Sequence, residues 1–220
     1  METRQSFSPG LEDIQFTAFT EGKIRWWFGM LDVDKDGLMS QGDFHLIADR
    51  FVKEYDLTGE KALEIRDWLT RGWEIVLDMD KDKETEQEMR CFIPLVIKMG
   101  EDLQVGKKIS QDDFTQAFGQ LIQHSPALAK STLQKMVSAF FDIFDHDRDG
   151  FIMRDEMVVA MRCFGYDDPD MVEMAFASMD LDKDDRLSRK EYIDGWLNFI
   201  LGQDKQHAFV ATFAPHLTQL

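Results

Sequence analysis

Three stretches of the chain place aspartates at alternate positions and close with one more acid. They are Asp32, Asp34 and Asp36 with Asp43; Asp145, Asp147 and Asp149 with Glu156; and Asp180, Asp182 and Asp184 with Glu191. In each, the closing acid is the twelfth residue counted from the first. Carboxylates gathered this closely repel one another unless a cation sits among them. The matching cation is hard and divalent, because calcium (Ca2+) takes about six to eight oxygens at short range. A 12-residue loop offers side-chain oxygens at positions 1, 3, 5 and 12, a backbone carbonyl at 7, and a side chain or water at 9.

The candidate ligands follow by position. The first loop, 32–43, supplies Asp32, Asp34, Asp36, the Leu38 carbonyl, Ser40 and Asp43. The third, 145–156, supplies Asp145, Asp147, Asp149, the Phe151 carbonyl and Glu156; Met153 at position 9 leaves that place to water. The fourth, 180–191, supplies Asp180, Asp182, Asp184, the Arg186 carbonyl, Ser188 and Glu191. Position 6 must turn sharply: Gly37 and Gly150 do so freely, and Asp185 tolerates the left-handed conformation better than most residues. Asp43 is one methylene shorter than glutamate and reaches an ion with two oxygens less easily. Six-coordination then gains ground, so magnesium (Mg2+) is expected to compete most at 32–43. Three calcium ions are expected in all.

Such loops need a helix on either side. Met39-Ser40-Gln41-Gly42-Asp43-Phe44 recurs as Ile109-Ser110-Gln111-Asp112-Asp113-Phe114, as Ile152-Met153-Arg154-Asp155-Glu156-Met157 and as Leu187-Ser188-Arg189-Lys190-Glu191-Tyr192. Helix-period apolar residues follow, such as Phe44, Ile47, Ala48 and Phe51. Apolar helix faces precede the intact loops: Trp27, Phe28 and Leu31; Phe140, Phe141 and Phe144; Phe176 and Met179. The reading is an all-α protein of four EF-hand helix-loop-helix units in two pairs forming one globule. Position 8 is apolar and is expected to pair with its partner loop in a short strand contact.

The second unit is degenerate. The register 102–113 keeps Ile109, Ser110 and Asp113 but has Gln104 and Gly106 at ligand positions. The register 78–89 has Asp78, Asp80 and Asp82 but no turn glycine, and it ends in Met89. The first is preferred, as a loop that holds no ion, with 78–102 an acidic insertion. Pro126 marks the joint between an N-terminal pair, 1–124, and a C-terminal pair with a packed tail, 125–220.

Of the 220 residues, 42 are acidic and 25 basic, a net charge of -17. That balance argues against nucleic acid and against an anionic membrane surface. Cys91 and Cys163 form no CxxC pair, the first residues lack an apolar signal core, and Cys91–Met99 is too short to span a bilayer. A soluble, cytoplasmic monomer is expected. The five histidines are scattered, and no nucleophile elbow, P-loop or zinc signature is present, so no enzyme is expected. His146, at position 2 of its loop, is expected to face solvent.

A first loop closed by Asp43, a decayed second loop and intact third and fourth loops resemble the invertebrate sarcoplasmic calcium-binding proteins. The segment after the fourth loop, with Trp196, Phe199, Ile200 and Phe213-Ala214-Pro215-His216-Leu217, is similar to that family's aromatic-rich end, which packs back on the core. Relatives with the same loop pattern are the coelenterazine-binding proteins and calcium-regulated photoproteins. The resemblance implies a cytosolic calcium and magnesium buffer. Two alternatives stand beside it. Five tryptophans and 18 phenylalanines could line a cavity for a hydrophobic small molecule of the coelenterazine type, released by calcium. Thirteen methionines would permit a sensor that offers a groove to target helices.

Overall fold

The computed structural model describes residues 14–77, 106 and 108–219. The register 78–89 and most of the acidic insertion 78–102 therefore lie outside the described residues, as does most of the degenerate loop.

Each intact loop sits between two helices, and the capping chemistry shows why the chain turns there. Helix α1, Ala18–Leu31, starts at Thr17, whose hydroxyl accepts from the Thr20 N–H, and stops at Asp32. Two extended residues form β1, Leu38–Met39. Helix α2, Gln41–Glu54, then opens with Ser40 and Asp43 capping each other's backbone N–H groups. Helix α3 spans Gly59–Leu77. Strand β2, Ile109–Ser110, leads into α4, Gln111–His124. A single residue, Ser125, ends α4 and starts α5, Pro126–Phe144. Proline suits the first turn of α5, where its missing N–H costs nothing.

The pattern repeats with β3, Phe151–Ile152; α6, Arg154–Cys163; α7, Pro169–Met179; β4, Leu187–Ser188; and α8, Arg189–Leu201. The tail forms α9, Ala208–Phe213, and a 3₁₀ turn, Pro215–Gln219. The described residues thus complete three helix-loop-helix units, together with the strand and outgoing helix of the second repeat.

The short strands tie the loops in pairs. β1 runs antiparallel to β2, setting Met39 against Ile109, and β3 runs antiparallel to β4, setting Ile152 against Leu187. All four side chains are buried. The apolar position-8 residues therefore meet across each pair, as their spacing predicts.

Aromatic rings fill the space between helices. Trp27 packs edge-on against Phe114 and Phe118, joining α1 to α4. Phe51 of α2 meets Phe144 and Phe164. Trp196 and Phe199 of α8 meet Phe209 and Phe213 of the tail, with Trp26 of α1 against Phe213 at 5.0 Å. Ring pairs of this kind add about 0.5–1.5 kcal/mol each beyond their buried area.

Polar contacts join the chain's ends. The fully buried Lys23 amine donates to the Gly202 carbonyl. Gln203 Nε2 donates to Thr20 Oγ1 at 2.9 Å and to the Gln15 carbonyl at 3.1 Å. Burial pushes Lys23 down to about 7, because the interior disfavours the ammonium.

Candidate metal centres

Three groups of acidic oxygens converge, one in each intact loop: Asp32, Asp34 and Asp36; Asp145, Asp147 and Glu156; Asp180, Asp182 and Glu191. The backbone makes this possible. Gly37 and Gly150 take φ of 83° and 92°, and Asp185, their counterpart in the fourth loop, takes 64°. Position 4 is left-handed as well, at Lys35, Arg148 and Lys183. Residue type does not announce these three, since neither lysine nor arginine favours the conformation. Each loop therefore turns back on itself at these two positions, which lets its first acids converge.

Backbone amides hold the carboxylates in place. The Gly37 N–H donates to Asp32 Oδ2 at 3.1 Å, and the Gly150 N–H to Asp145 Oδ2 at 3.0 Å. In the fourth loop Asp180 accepts from the Asp184 and Asp185 N–H groups. The position-3 acids Asp34 and Asp147 accept from the N–H of Asp36 and Asp149. The position-5 acids Asp36, Asp149 and Asp184 accept from the N–H groups of Leu38, Phe151 and Arg186, whose carbonyls are the position-7 candidates.

The closing acid spans each loop from end to end. Glu156 accepts from the His146 N–H at 2.9 Å and the Met153 N–H at 2.8 Å. Glu191 accepts from the N–H groups of Leu181 and Ser188. Asp43 does the same with a shorter arm, accepting from the N–H of Val33 at 2.9 Å and of Ser40 at 2.8 Å. Its consequence shows in the clusters: Glu156 and Glu191 stand among the convergent oxygens of their loops, whereas the first cluster consists of Asp32, Asp34 and Asp36.

The residues fit a divalent cation on an independent ground. Asp32 Oδ1 and Asp145 Oδ1 are buried and have no hydrogen-bond partner among the described residues. A buried, unpaired carboxylate oxygen is costly, and a metal ion removes the cost. Burial raises Asp32 and Glu156 above the ordinary carboxylate range. Met153 and Ser188 occupy position 9 of the third and fourth loops, and Ser40 that of the first.

One expectation about the third loop does not hold. His146 is half-buried and stacks on Tyr55, with ring centroids 3.7 Å apart. The end of α2 reaches across from the first hand to cover it, a contact that loop spacing does not encode.

The fold and the loops define an EF-hand calcium-binding protein. The family profile of the EF-hand domain pair matches residues 133–197. More particularly, the chain is similar to sarcoplasmic calcium-binding proteins and to a luciferin-binding protein. It is 22% identical to the sarcoplasmic calcium-binding protein of Mizuhopecten yessoensis, over 86% of this chain and 93% of that one. It is 26% identical to the luciferin-binding protein of Renilla reniformis, over 83% and 86%. Its fold is similar to the calcium-loaded apo form of coelenterazine-binding protein from Renilla muelleri, with a TM-score of 0.68, 22% identity, and 89% and 95% of the two chains covered. These relatives carry the names of calcium-binding and luciferin-binding proteins. No helix among the described residues is long and apolar enough to cross a membrane.

Proposed function

We propose that this protein is a cytosolic calcium and magnesium buffer with three ion sites, built as two EF-hand pairs of which the second hand is silent. The ligands are Asp32, Asp34, Asp36, Leu38, Ser40 and Asp43 in the first loop and Asp145, Asp147, Asp149, Phe151 and Glu156 in the third. In the fourth they are Asp180, Asp182, Asp184, Arg186, Ser188 and Glu191. The observation that carries the buffer reading is the tail. Phe209, Phe213 and Leu217 are buried against the core, and Phe209 and Phe213 pack on Trp196. Covered apolar surface offers no groove to a target helix, which a sensor requires. Ions instead stabilise the fold itself. A site at a free-ion level about 1,000 times its dissociation constant contributes roughly 4 kcal/mol.

A dye for apolar surface tests this: it binds the metal-free protein more than the calcium-loaded protein if the protein is a buffer. Greater dye binding on adding calcium would establish the sensor instead. The second reading, a carrier of a coelenterazine-type molecule, rests on the likeness to luciferin-binding protein and on the Trp26, Tyr166, Trp196 and Phe213 cluster. Buffering is favoured because these rings lie against one another at 5.0–6.4 Å. Tight binding of coelenterazine, seen as tryptophan quenching, would reverse that preference.

A further inference from the structure

The degenerate repeat contributes a charge to the first loop. β1 and β2 pair through Leu38 and Ser110, and Met39 and Ile109. That register brings Lys108, the residue just before β2, alongside Asp36. Lys108 Nζ lies 2.5 Å from Asp36 Oδ2, while Asp36 Oδ1 accepts the Leu38 N–H at 2.8 Å. Both oxygens of the position-5 acid are therefore engaged, one of them by a full positive charge from another hand. In the third loop the equivalent Asp149 accepts from the Phe151 N–H and has no ion pair among the described residues. In the fourth, Asp184 pairs with Arg186 of its own loop at 2.7 Å.

We propose that Lys108 is an internal counter-ion that sets the affinity of the first loop for divalent cations. The inference rests on the reading that this loop takes an ion. A divalent ion entering the loop meets the ammonium as a like charge and competes with it for Asp36. Coulomb repulsion depends on charge and distance, not on ionic radius. Lys108 therefore weakens calcium and magnesium binding by the same factor, whereas the arm length of Asp43 acts on the ratio between them.

The test is a titration of the full chain with calcium, and separately with magnesium, at low salt. It follows the backbone amides of Gly37 and Gly150 by nuclear magnetic resonance as reporters of the first and third loops. Lys108→Met is expected to tighten the Gly37 response by roughly three- to tenfold for both ions, shrinking in about 0.5 M potassium chloride as screening grows. Lys108→Arg should keep the wild-type midpoint. An unchanged Gly37 midpoint in Lys108→Met, an equal shift at Gly150, or a shift in Lys108→Arg like that in Lys108→Met would each overturn the proposal. A Gly37 amide that never responds to either ion in the wild-type chain would show instead that the first loop takes no ion.

Discussion

Tyr55, at the end of α2, stacks on His146 of the third loop with planes 12° apart. α2 carries Asp43, the closing acid of the first loop, near its other end. One helix thus has a candidate ligand at its start and a wall of another loop at its finish. Nearby polar contacts fix the same junction: Arg50 donates to the Cys163 carbonyl at 2.9 Å, and Arg162 pairs with Glu54 at 3.0 Å.

Removing the ring should loosen this junction. Tyr55→Ala is expected to cost about 1–3 kcal/mol of stability, from lost stacking and lost burial, and to weaken calcium binding at the third loop. Tyr55→Phe should be close to neutral, since the Tyr55 hydroxyl is buried without a hydrogen-bond partner among the described residues. Chemical denaturation of both variants checks the contrast; a Phe variant as unstable as the Ala variant would assign the effect to the hydroxyl.

Calorimetry on the metal-free protein is expected to count three calcium ions, and two after Glu156→Gln. The substitution removes the charge that spans the third loop between the His146 and Met153 amides. The third-site affinity should fall by more than tenfold, about 1.4 kcal/mol or more. Three ions of unchanged affinity in the variant would mean that Glu156 is not a ligand.

Asp43→Glu should raise the preference of the first loop for calcium over magnesium. A longer arm brings both carboxylate oxygens toward the ion and favours the higher coordination number of calcium. Competition titrations with the two ions report the ratio. An unaltered ratio would show that the loop contracts enough to make the shorter arm equivalent.

Lys23 gives stability a pH dependence of known sign. Its amine titrates near 7 in the folded chain, lowered from 10.5 by burial. Between those values the unfolded chain binds the extra proton, so stability rises with pH, at up to about 1.4 kcal/mol per unit. Asp204, Lys205 and His207 lie on the same tail segment. Lys205 Nζ sits 6.0 Å from the Phe19 ring that Lys23 also covers, and burial lowers His207 first, with Lys23 adding to the effect and Asp204 opposing it. Because these groups remain in Lys23→Met, the difference between the two stability–pH curves above pH 7 reports Lys23, and below it also includes the release of His207 from the Lys23 charge. A rise of equal slope in both chains would discount the buried amine.

The loops were legible because ion ligation imposes a strict spacing on residue types. Asp32 to Asp43 could be read without any knowledge of the fold, and so could the meeting of Ile152 with Leu187. Contacts made by distant segments could not. Nothing local to His146 announces Tyr55, nothing local to Lys23 announces the Gly202 carbonyl, and Lys108 looks like any surface lysine until β1 and β2 set the register. Position 4 was missed for a different reason. Lys35, Arg148 and Lys183 are held left-handed by the loop around them, against their own preference, and composition does not record that kind of constraint.

The pairing of β1 with β2 also determines how the second repeat can change. On the proposed reading the second hand has no ion to hold, yet Ile109 still fills the space beside Met39, and Phe114 and Phe118 still close on Trp27. The repeat has become a strut, and its tolerance to substitution should be sharply graded along the chain. Saturation mutagenesis scored for folded yield would find exposed positions such as Asp112 and Gln116 permissive and Ile109, Phe114 and Phe118 as restrictive as any residue of the intact hands.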